Sequence, residues 1–285
     1  MNDRWNLLLR TWEDMGSEIA KRLLQAKPTK LINMTLEYGP PLRFGRLRFY
    51  LGSPGNVPAY HEIFFQGDYR SLTIRPDDIV LDAGANAGVF SIWAASRCRS
   101  VISVEPAPET FDLLRLNKRI NKANNVLLIN KALSDHDGYV TMGGDGATYK
   151  IEQDGIMIPS TTIDSLLAEL DVSVDVVKMD VEGAERLCLL GSYLQKVREI
   201  VVETHATENS VVRILEEHGF KTTKINFRVS QTIANILKQF PYFAGAELTT
   251  NFMISRSTLR AFMRREDLLL RERLPQFQII HGYKS

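Results

Sequence analysis

Ile79-Val80-Leu81-Asp82-Ala83-Gly84-Ala85-Asn86-Ala87-Gly88 is the stretch on which the fold turns. An apolar run ends in an acid, and a loop of small residues follows. Val89-Phe90-Ser91-Ile92-Trp93-Ala94-Ala95 comes next, with the pattern of a buried helix. That order predicts a strand, a tight turn and a helix N-terminus, the geometry that holds nucleotide-like ligands. Gly84 and Gly88 permit close backbone approach and positive φ. Asn86 stands where many such loops carry another glycine, so position rather than glycine count carries the reading. An acid at the mouth of the loop, Asp82, repels a pyrophosphate and attracts a cation. It predicts S-adenosylmethionine (SAM), which has a sulfonium, an amino group and no phosphate. The plain alternative for Asp82 is a helix cap.

Outward from this stretch, strand-like and helix-like segments alternate. Strands are expected at 79–83, 101–105, 126–130, 174–179, 199–203, 221–227 and 250–255, and helices at 88–96, 108–122, 164–171, 183–194 and 208–218. The alternation predicts an α/β fold with a Rossmann-like, seven-stranded, mostly parallel sheet and helices on both faces. Continuous apolar runs such as Val101-Ile-Ser-Val and Ile200-Val-Val fit strands buried on both sides. The glycine-rich segment 138–161 interrupts the pattern as an antiparallel arm or mobile loop. Seven strands suit a class I methyltransferase sheet better than the six of a nicotinamide fold. Residues 1–30 place Trp5, Leu8, Leu9, Trp12, Met15, Ile19 and Leu23 at helical steps. This helix is expected to pack on the main domain, and its two tryptophans also offer a face for a membrane surface or a homodimer. Residues 42–51 alternate around Gly45 as a short hairpin, and 51–58 form a boundary loop. The arginine-rich tail after 256 reads as a helix with a salt-bridged, solvated face. The chain divides into an N-terminal helix-and-hairpin extension (1–58), a methyltransferase-type domain (59–256) and a C-terminal helical tail (257–285).

With 35 basic and 34 acidic residues in 285, the net charge is +1. A duplex nucleic-acid binder carries a clear basic excess, so no nucleic-acid partner is expected. No apolar run approaches the ~20 residues that span a bilayer. The N-terminus lacks a secretory pattern, and a cytoplasmic location is expected. Cys98 and Cys188 are expected as free thiols, and no four-ligand cluster of the zinc type is present, so no metal is assigned.

The remaining chemistry gathers at the predicted carboxyl ends of the strands, where open parallel sheets bind their ligands. Glu105 closes the second strand, and an acid about 20 residues after a glycine loop suits a ribose diol. Lys178-Met179-Asp180-Val181-Glu182-Gly183-Ala184-Glu185 crowds three acids and a lysine into one strand-to-helix turn. Such clusters are costly unless paired or functional. The ordinary alternative pairs Lys178 with an acid and leaves Glu185 supporting the helix dipole. Glu203-Thr204-His205 ends the fifth strand, and His205 is the proton acceptor best placed by type and position. His61, His136, His218 and His281 lie away from these ends. Acids at one edge can also hold a divalent cation that chelates a diol.

The loop Asp82 to Gly88 with Phe90-Ser91, the pair Glu105-Pro106, and Lys178 to Glu185 together resemble the FkbM family of SAM-dependent methyltransferases. Glu62-Ile-Phe, Tyr69, Asn130 to Asp135 and Thr161-Thr162-Ile163-Asp164 extend the resemblance over residues 59–255. Ala87 and Met179 stand where the family often has a branched apolar residue, and the two ends of the chain match nothing in it. The resemblance implies a seven-stranded Rossmann-like fold and methyl transfer from SAM, usually to oxygen, with glycan or metabolite hydroxyls as acceptors. On this basis Asp82, Gly84, Asn86 and Gly88 are assigned to the methionine end of SAM, Glu105 to its ribose, and Ser134 and Asp135 to its adenine end. Asp180 is assigned to both cofactor and chemistry, Glu182 and His205 to chemistry, and Glu203 and Lys178 to the acceptor. Two rivals are a nicotinamide-dependent oxidoreductase on the same kind of sheet and a non-catalytic SAM-fold protein that assembles through the Trp5/Trp12 helix. A third, an RNA methyltransferase, is opposed by the net charge.

Overall fold

The computed structural model describes residues 41–51, 59–60, 63–64, 69, 71–144, 150–152, 154–225 and 277–284. The helix expected over 1–30, most of the boundary loop at 51–58, and the strand expected at 250–255 lie outside the described residues, as does the tail from 256 to 276. The hairpin around Gly45 is present, with β1 (Leu42–Phe44) antiparallel to β2 (Leu47–Phe49).

The central sheet contains β3 (Ile79–Ala83), β4 (Ser100–Val104), β5 (Val126–Ile129), β10 (Val176–Met179), β11 (Glu199–His205), β12 (Lys221–Ile225) and β13 (Phe277–Tyr283). Their order across the sheet is β12-β13-β11-β10-β3-β4-β5. The strands from β5 to β11 pair in parallel, and β13 runs antiparallel to both β11 and β12. The sheet is therefore mixed, with one reversed strand. That strand corrects the sequence reading: part of the expected helical tail is β13, inserted between β11 and β12. Ile280 and Gly282 are buried with His281 less so between them and Tyr283 exposed beyond, a two-residue period in burial that the order Gln278-Ile279-Ile280-His281, with its two apolar residues side by side, does not announce.

Helices α1 (Val89–Ala95) and α2 (Pro108–Ile120) cover one face, and α3 (Ile163–Glu169), α4 (Glu185–Cys188) and α5 (Glu208–Glu217) cover the other. Strand alternation separates the two cores. Val80, Val101, Val176 and Val201 pack with Phe90, Ile92 and Leu113, whereas Leu81, Ile102, Val177 and Ile200 pack with Leu166, Cys188 and Leu215. Pro108 opens α2, where its missing N–H costs nothing. Thr162 caps α3 by accepting from Ser165 N at 3.0 Å. The helix expected over 183–194 is much shorter. Asp164 accepts from the amides of Ser192 and Tyr193 at 2.6 and 2.8 Å. Those donors cannot then serve a continuing helix, and the chain passes into one 3₁₀ turn at Ser192–Gln195.

The interruption at 138–161 is an antiparallel arm. β7 (Gly138–Gly143) pairs with β8 (Lys150–Ile151) and β9 (Ile156–Thr161), and β6 (Ala132–Leu133) joins β9 in parallel. The arm lies beside the carboxyl end of the sheet and sends Met142 and Ile151 toward it. Among the described residues no helix is long and apolar enough to cross a membrane, and Cys98 and Cys188 are free, the first half-buried and the second buried.

Candidate active site

Chain order reverses between β3 and β10, and a crevice at such a point is where open parallel sheets bind ligands. The loop after β3 forms one wall. Gly84 has φ +75°, and a Cβ there would stand 1.7 Å from the carbonyl oxygen of Asp180, so only glycine lets the two turns close on each other. Gly88 has φ +82°, and a Cβ there would meet Leu114 of α2 at 2.3 Å. Asn86 also adopts a left-handed φ of 50°, which asparagine tolerates better than most residues. Its amide donates to Glu105 Oε2 at 2.8 Å, and Ala107 N donates to Glu105 Oε1 at 2.9 Å. Burial nonetheless pushes the Glu105 carboxyl up to about 7, because desolvation outweighs these donors.

A cleft open to solvent at its mouth lies between the two turns. Three carboxylates lie on its wall: Glu105, Asp180 and Glu182. Gly84 and Asn86 join them, and Val104, Pro106, Ala132, Leu133, Met142, Ile151, Val181 and Ala184 supply apolar surface. No lysine, arginine or histidine is among these wall residues.

Several residues assigned from sequence lie elsewhere. Asp82 does not stand at the mouth of the loop: it is fully buried on the α1 side of the sheet. The register places Lys178, Asp82 and Ser103 in one row across β10, β3 and β4. Lys178 Nζ lies 3.3 Å from Asp82 Oδ1, Ser91 Oγ of α1 donates to Asp82 Oδ2, and Ser91 and Ser103 share a hydroxyl contact at 2.7 Å. Burial raises the Asp82 carboxyl above its usual range despite Lys178 and Ser91. Lys178 likewise does not face an acceptor. It is buried, donates to Gly84 O at 2.6 Å, and lies 3.8 Å from Asp180. Burial alone would lower its ammonium, but Asp82 and Asp180 outweigh that and hold it charged. The ordinary alternative for Lys178 is the one observed. Gly88 packs against α2 rather than lining the cleft. Ser134 is buried, with its amide donating to Thr161 O of β9 at 3.1 Å. Exposed Asp135 pairs with His136 at 2.8 Å, and neither Ser134 nor Asp135 is on the cleft wall.

The structure does gather Asp180, Glu182, Glu203 and His205. Asp180 Oδ1 is buried and accepts no hydrogen bond among the described residues. Glu182 adopts φ 49° at the turn, a strained conformation for a side-chain-bearing residue. Burial and then Asp180 raise its carboxyl. His205 Nε2 lies 3.4 Å from Glu182 and 3.9 Å from Asp180, while Nδ1 lies 2.8 Å from Glu185. Burial lowers the imidazole, but Glu185, Asp180 and Glu182 together raise it above its ordinary value. Glu203 accepts from Tyr69 OH at 3.3 Å. Atoms of Asp180, Glu203 and His205 come within 4.8 Å of one another, a span that one cation could bridge.

Sequence reasoning missed the apolar half of the cleft and the place of Glu185, which is buried against His205. For the apolar half the available signal was Ala132-Leu133, the residues just before the pair assigned to the adenine end.

Residues 82–222 match the model of the methyltransferase FkbM domain. The chain belongs to the FkbM methyltransferase family. It is 25% identical over 236 residues to 31-O-demethyl-FK506 methyltransferase FkbM of Streptomyces tacrolimicus, covering 66% of this chain and 86% of that protein. Methyltransferase sdnD of Sordaria araneosa is 25% identical over 212 residues, 58% of this chain and 82% of that one. Among solved structures, precorrin-6y C5,15-methyltransferase of Geobacter metallireducens aligns with a TM-score of 0.43 at 15% identity, over 77% of this chain and 86% of that one.

Proposed function

We propose that this FkbM-family methyltransferase takes its methyl group from SAM and delivers it to a hydroxyl of a sugar or hydroxylated metabolite. The observation that carries the reading is the charge of the cleft: three carboxylates, with neither lysine nor arginine among the wall residues, at the switch point of the sheet. A nicotinamide cofactor brings a pyrophosphate, which those acids repel. SAM, when bound, supplies a methyl on a cationic sulfur and leaves as a neutral thioether.

The donor set fits such a group. Asp180 and Glu182 offer carboxylates to cationic sulfur and ammonium centres, and Asp180 Oδ1 has a lone pair to give. Glu105 keeps acceptor capacity for ribose hydroxyls beyond its two backbone donors. Val104, Pro106, Leu133, Met142 and Ile151 form a slot for an aromatic base. Asp82 acts from below, through Lys178 and Gly84, on the shape of the loop. The name of the Streptomyces relative, an O-demethyl substrate, supports oxygen as the acceptor atom.

In the transfer, the chain's main task is alignment of the acceptor oxygen with the methyl carbon, on the order of 7–11 kcal/mol at best. Proton removal by a carboxylate of the wall, or by His205, whose Nε2 lies 3.4 Å from Glu182, contributes about 10²–10⁴-fold. Asp180, Glu182 and Glu203 surround the His205 ring with negative charge. Titration calorimetry with SAM and with NAD tests the cofactor: heat from SAM alone is expected, and heat from NAD alone would contradict the reading. A radiolabelled methyl-transfer screen against glycans and small hydroxylated metabolites tests the acceptor, with label on oxygen expected. Label found only on nitrogen, carbon or RNA would overturn it.

A further inference from the structure

The two ends of the central sheet differ in charge. Acids gather at the carboxyl end of the strands, three of them on the cleft wall. The opposite sign collects at the amino end. Segments 41–51, 84–104 and 113–125 carry nine lysines and arginines and no aspartate or glutamate, in a chain whose net charge is only +1. Side-chain amides fasten these segments together. Asn121, just after α2, accepts from Arg48 N at 2.8 Å and donates to Arg48 O at 2.6 Å. Asn117, one turn earlier, exchanges the same two bonds with Tyr50 at 2.7 Å each. β2 therefore runs against the direction of α2, and the hairpin turn at Gly45-Arg46 lies toward the helix's C-terminal end. Asn125 donates to Ala95 O at 2.8 Å and to Cys98 O and Arg99 O at 3.3 Å, which ties the turn after α1 to the same end. Arg46, Arg48, Arg97, Arg99, Arg119 and Lys122 are exposed there. Among the described residues none of the six is paired with a carboxylate.

The dipole of α2 accounts for Lys118 and Arg119 in its last turn. It does not account for Arg46, Arg48, Arg97 and Arg99, which lie off that helix. Like charges gathered without counter-charges repel one another and attract an anionic partner. The aromatic rings nearby are already engaged. Arg97 lies over Trp93 at 4.3 Å, Trp93 packs on Phe90 at 5.6 Å, and Phe44 stacks on Phe64 at 4.0 Å. They offer no open platform for nucleic-acid bases, so this surface suits a partner met by charge alone. The sequence ahead of the hairpin adds a second feature. Trp5, Leu8, Leu9, Trp12, Met15 and Ile19 recur at helical steps, the pattern of segments that lie in a lipid interface; they fall outside the described residues. We propose that the basic amino end of the sheet is a docking surface for an anionic membrane, met through the phosphates and carboxylates of lipid headgroups. The cleft opens at the other end of the strands. β4 spans five residues, about 16 Å, so a protein seated this way holds its cleft away from the bilayer. For the methyl transfer proposed above, the acceptor hydroxyl then arrives from solution or on a chain that stands clear of the headgroups.

Flotation of the full-length protein with lipid vesicles tests this. Phosphatidylcholine vesicles containing about 30% phosphatidylserine should carry the protein at low salt, and salt near 0.5 M (about fourfold above the physiological ~0.15 M) should release it. Pure phosphatidylcholine vesicles should not carry it. Arg48→Glu/Lys122→Glu should weaken binding by about tenfold or more, with the thermal melt and the calorimetric response to SAM unchanged. Arg186→Glu/Arg213→Glu reverses two exposed charges on the opposite face of the sheet and should bind as wild type does. If the first double variant fails to fold, Arg48→Gln/Lys122→Gln carries the test, with a smaller loss in the same direction. Failure to bind the anionic vesicles, equal binding to both kinds of vesicle, or equal losses in the two Glu variants would overturn the proposal. Retention on RNA with none on vesicles would overturn it as well. Wild type that binds anionic vesicles and gives no heat with SAM supports the docking surface and refutes the cofactor assignment instead.

Discussion

Two acidic groups sit less than one strand apart in this sheet and do opposite things. Under the glycine loop, Asp82 is sealed in a row with Lys178 and Ser103 and roofed by Ser91, with no exposed surface. At the ends of β10 and β11, Asp180 and Glu182 stand on the cleft wall, with His205 against them. The first group is charge balanced internally and shapes the backbone. In the second, negative charges press on one another, and burial with mutual repulsion raises the Glu182 carboxyl. An acid at a strand end is scaffold when its pleat points it under a helix, and chemistry when the chain has already left the sheet.

The largest expected effect separates the two groups by activity. His205→Ala should lower turnover by about 10²–10⁴-fold while leaving SAM affinity within a factor of two. Parallel losses in binding and turnover would mean that the open group is scaffold as well. Asp82→Ala, in contrast, should act through the fold. It removes the nearer of the two carboxylates that hold the buried Lys178 charged, leaving Asp180 at 3.8 Å, a loss of up to about 3–5 kcal/mol, read from chemical denaturation. A loss below about 1 kcal/mol, the scale of an exposed pair, would show that the row is not what holds the loop.

Glu105, which follows β4 on the far side of β3 from Asp180, gives the contrast a pH dependence. Its folded pKa of about 7 lies above the ordinary 4.5, so the native state favours the protonated form. The stability this contributes is full below about pH 4.5 and is lost as pH rises through about 7. Ligand-free wild type should weaken across that window by at most about 3 kcal/mol, and Glu105→Gln should lack the slope. An identical slope in both proteins would remove Glu105 as its source. The smallest effect expected is that of Gly84→Ala, where φ +75° and the Asp180 carbonyl both oppose a side chain. SAM affinity should fall by about tenfold with folding cooperativity retained, as calorimetry and thermal melts would show. Unchanged affinity would mean that the two turns need not close on each other.

Much of the architecture was legible because its signals are local. The apolar run 79–83, the glycine loop and Pro108 announce strand, turn and helix by composition alone. β13 was not legible, since a strand that returns from far along the chain to enter between β11 and β12 owes its place to tertiary pairing. At the cleft, residue type and strand end pointed to Glu105, Asp180 and Glu182, which lie on its wall, and to His205, which stands 3.4 Å from Glu182 and off the wall. They could not show which face each side chain takes. Asp82 and Lys178 share a register row, and that register depends on how β10 docks on β3. Ser134 and Asp135 missed the wall by one or two residues for the same reason, with Ala132 and Leu133 taking it. Glu185 was read as a helix-end charge because its partners, Thr207 and His205, are 20 and more residues away.

A crystal structure with S-adenosylhomocysteine bound decides whether the cleft holds the donor while Asp82 stays scaffold. The amino-acid end is expected over Gly84 and Asp180, the ribose at Glu105 and the adenine between Leu133 and Met142, with Asp82 still joined to Lys178 and out of reach of the ligand. Density for the ligand outside this cleft, or an Asp82 carboxylate turned out to touch it, would refute that placement.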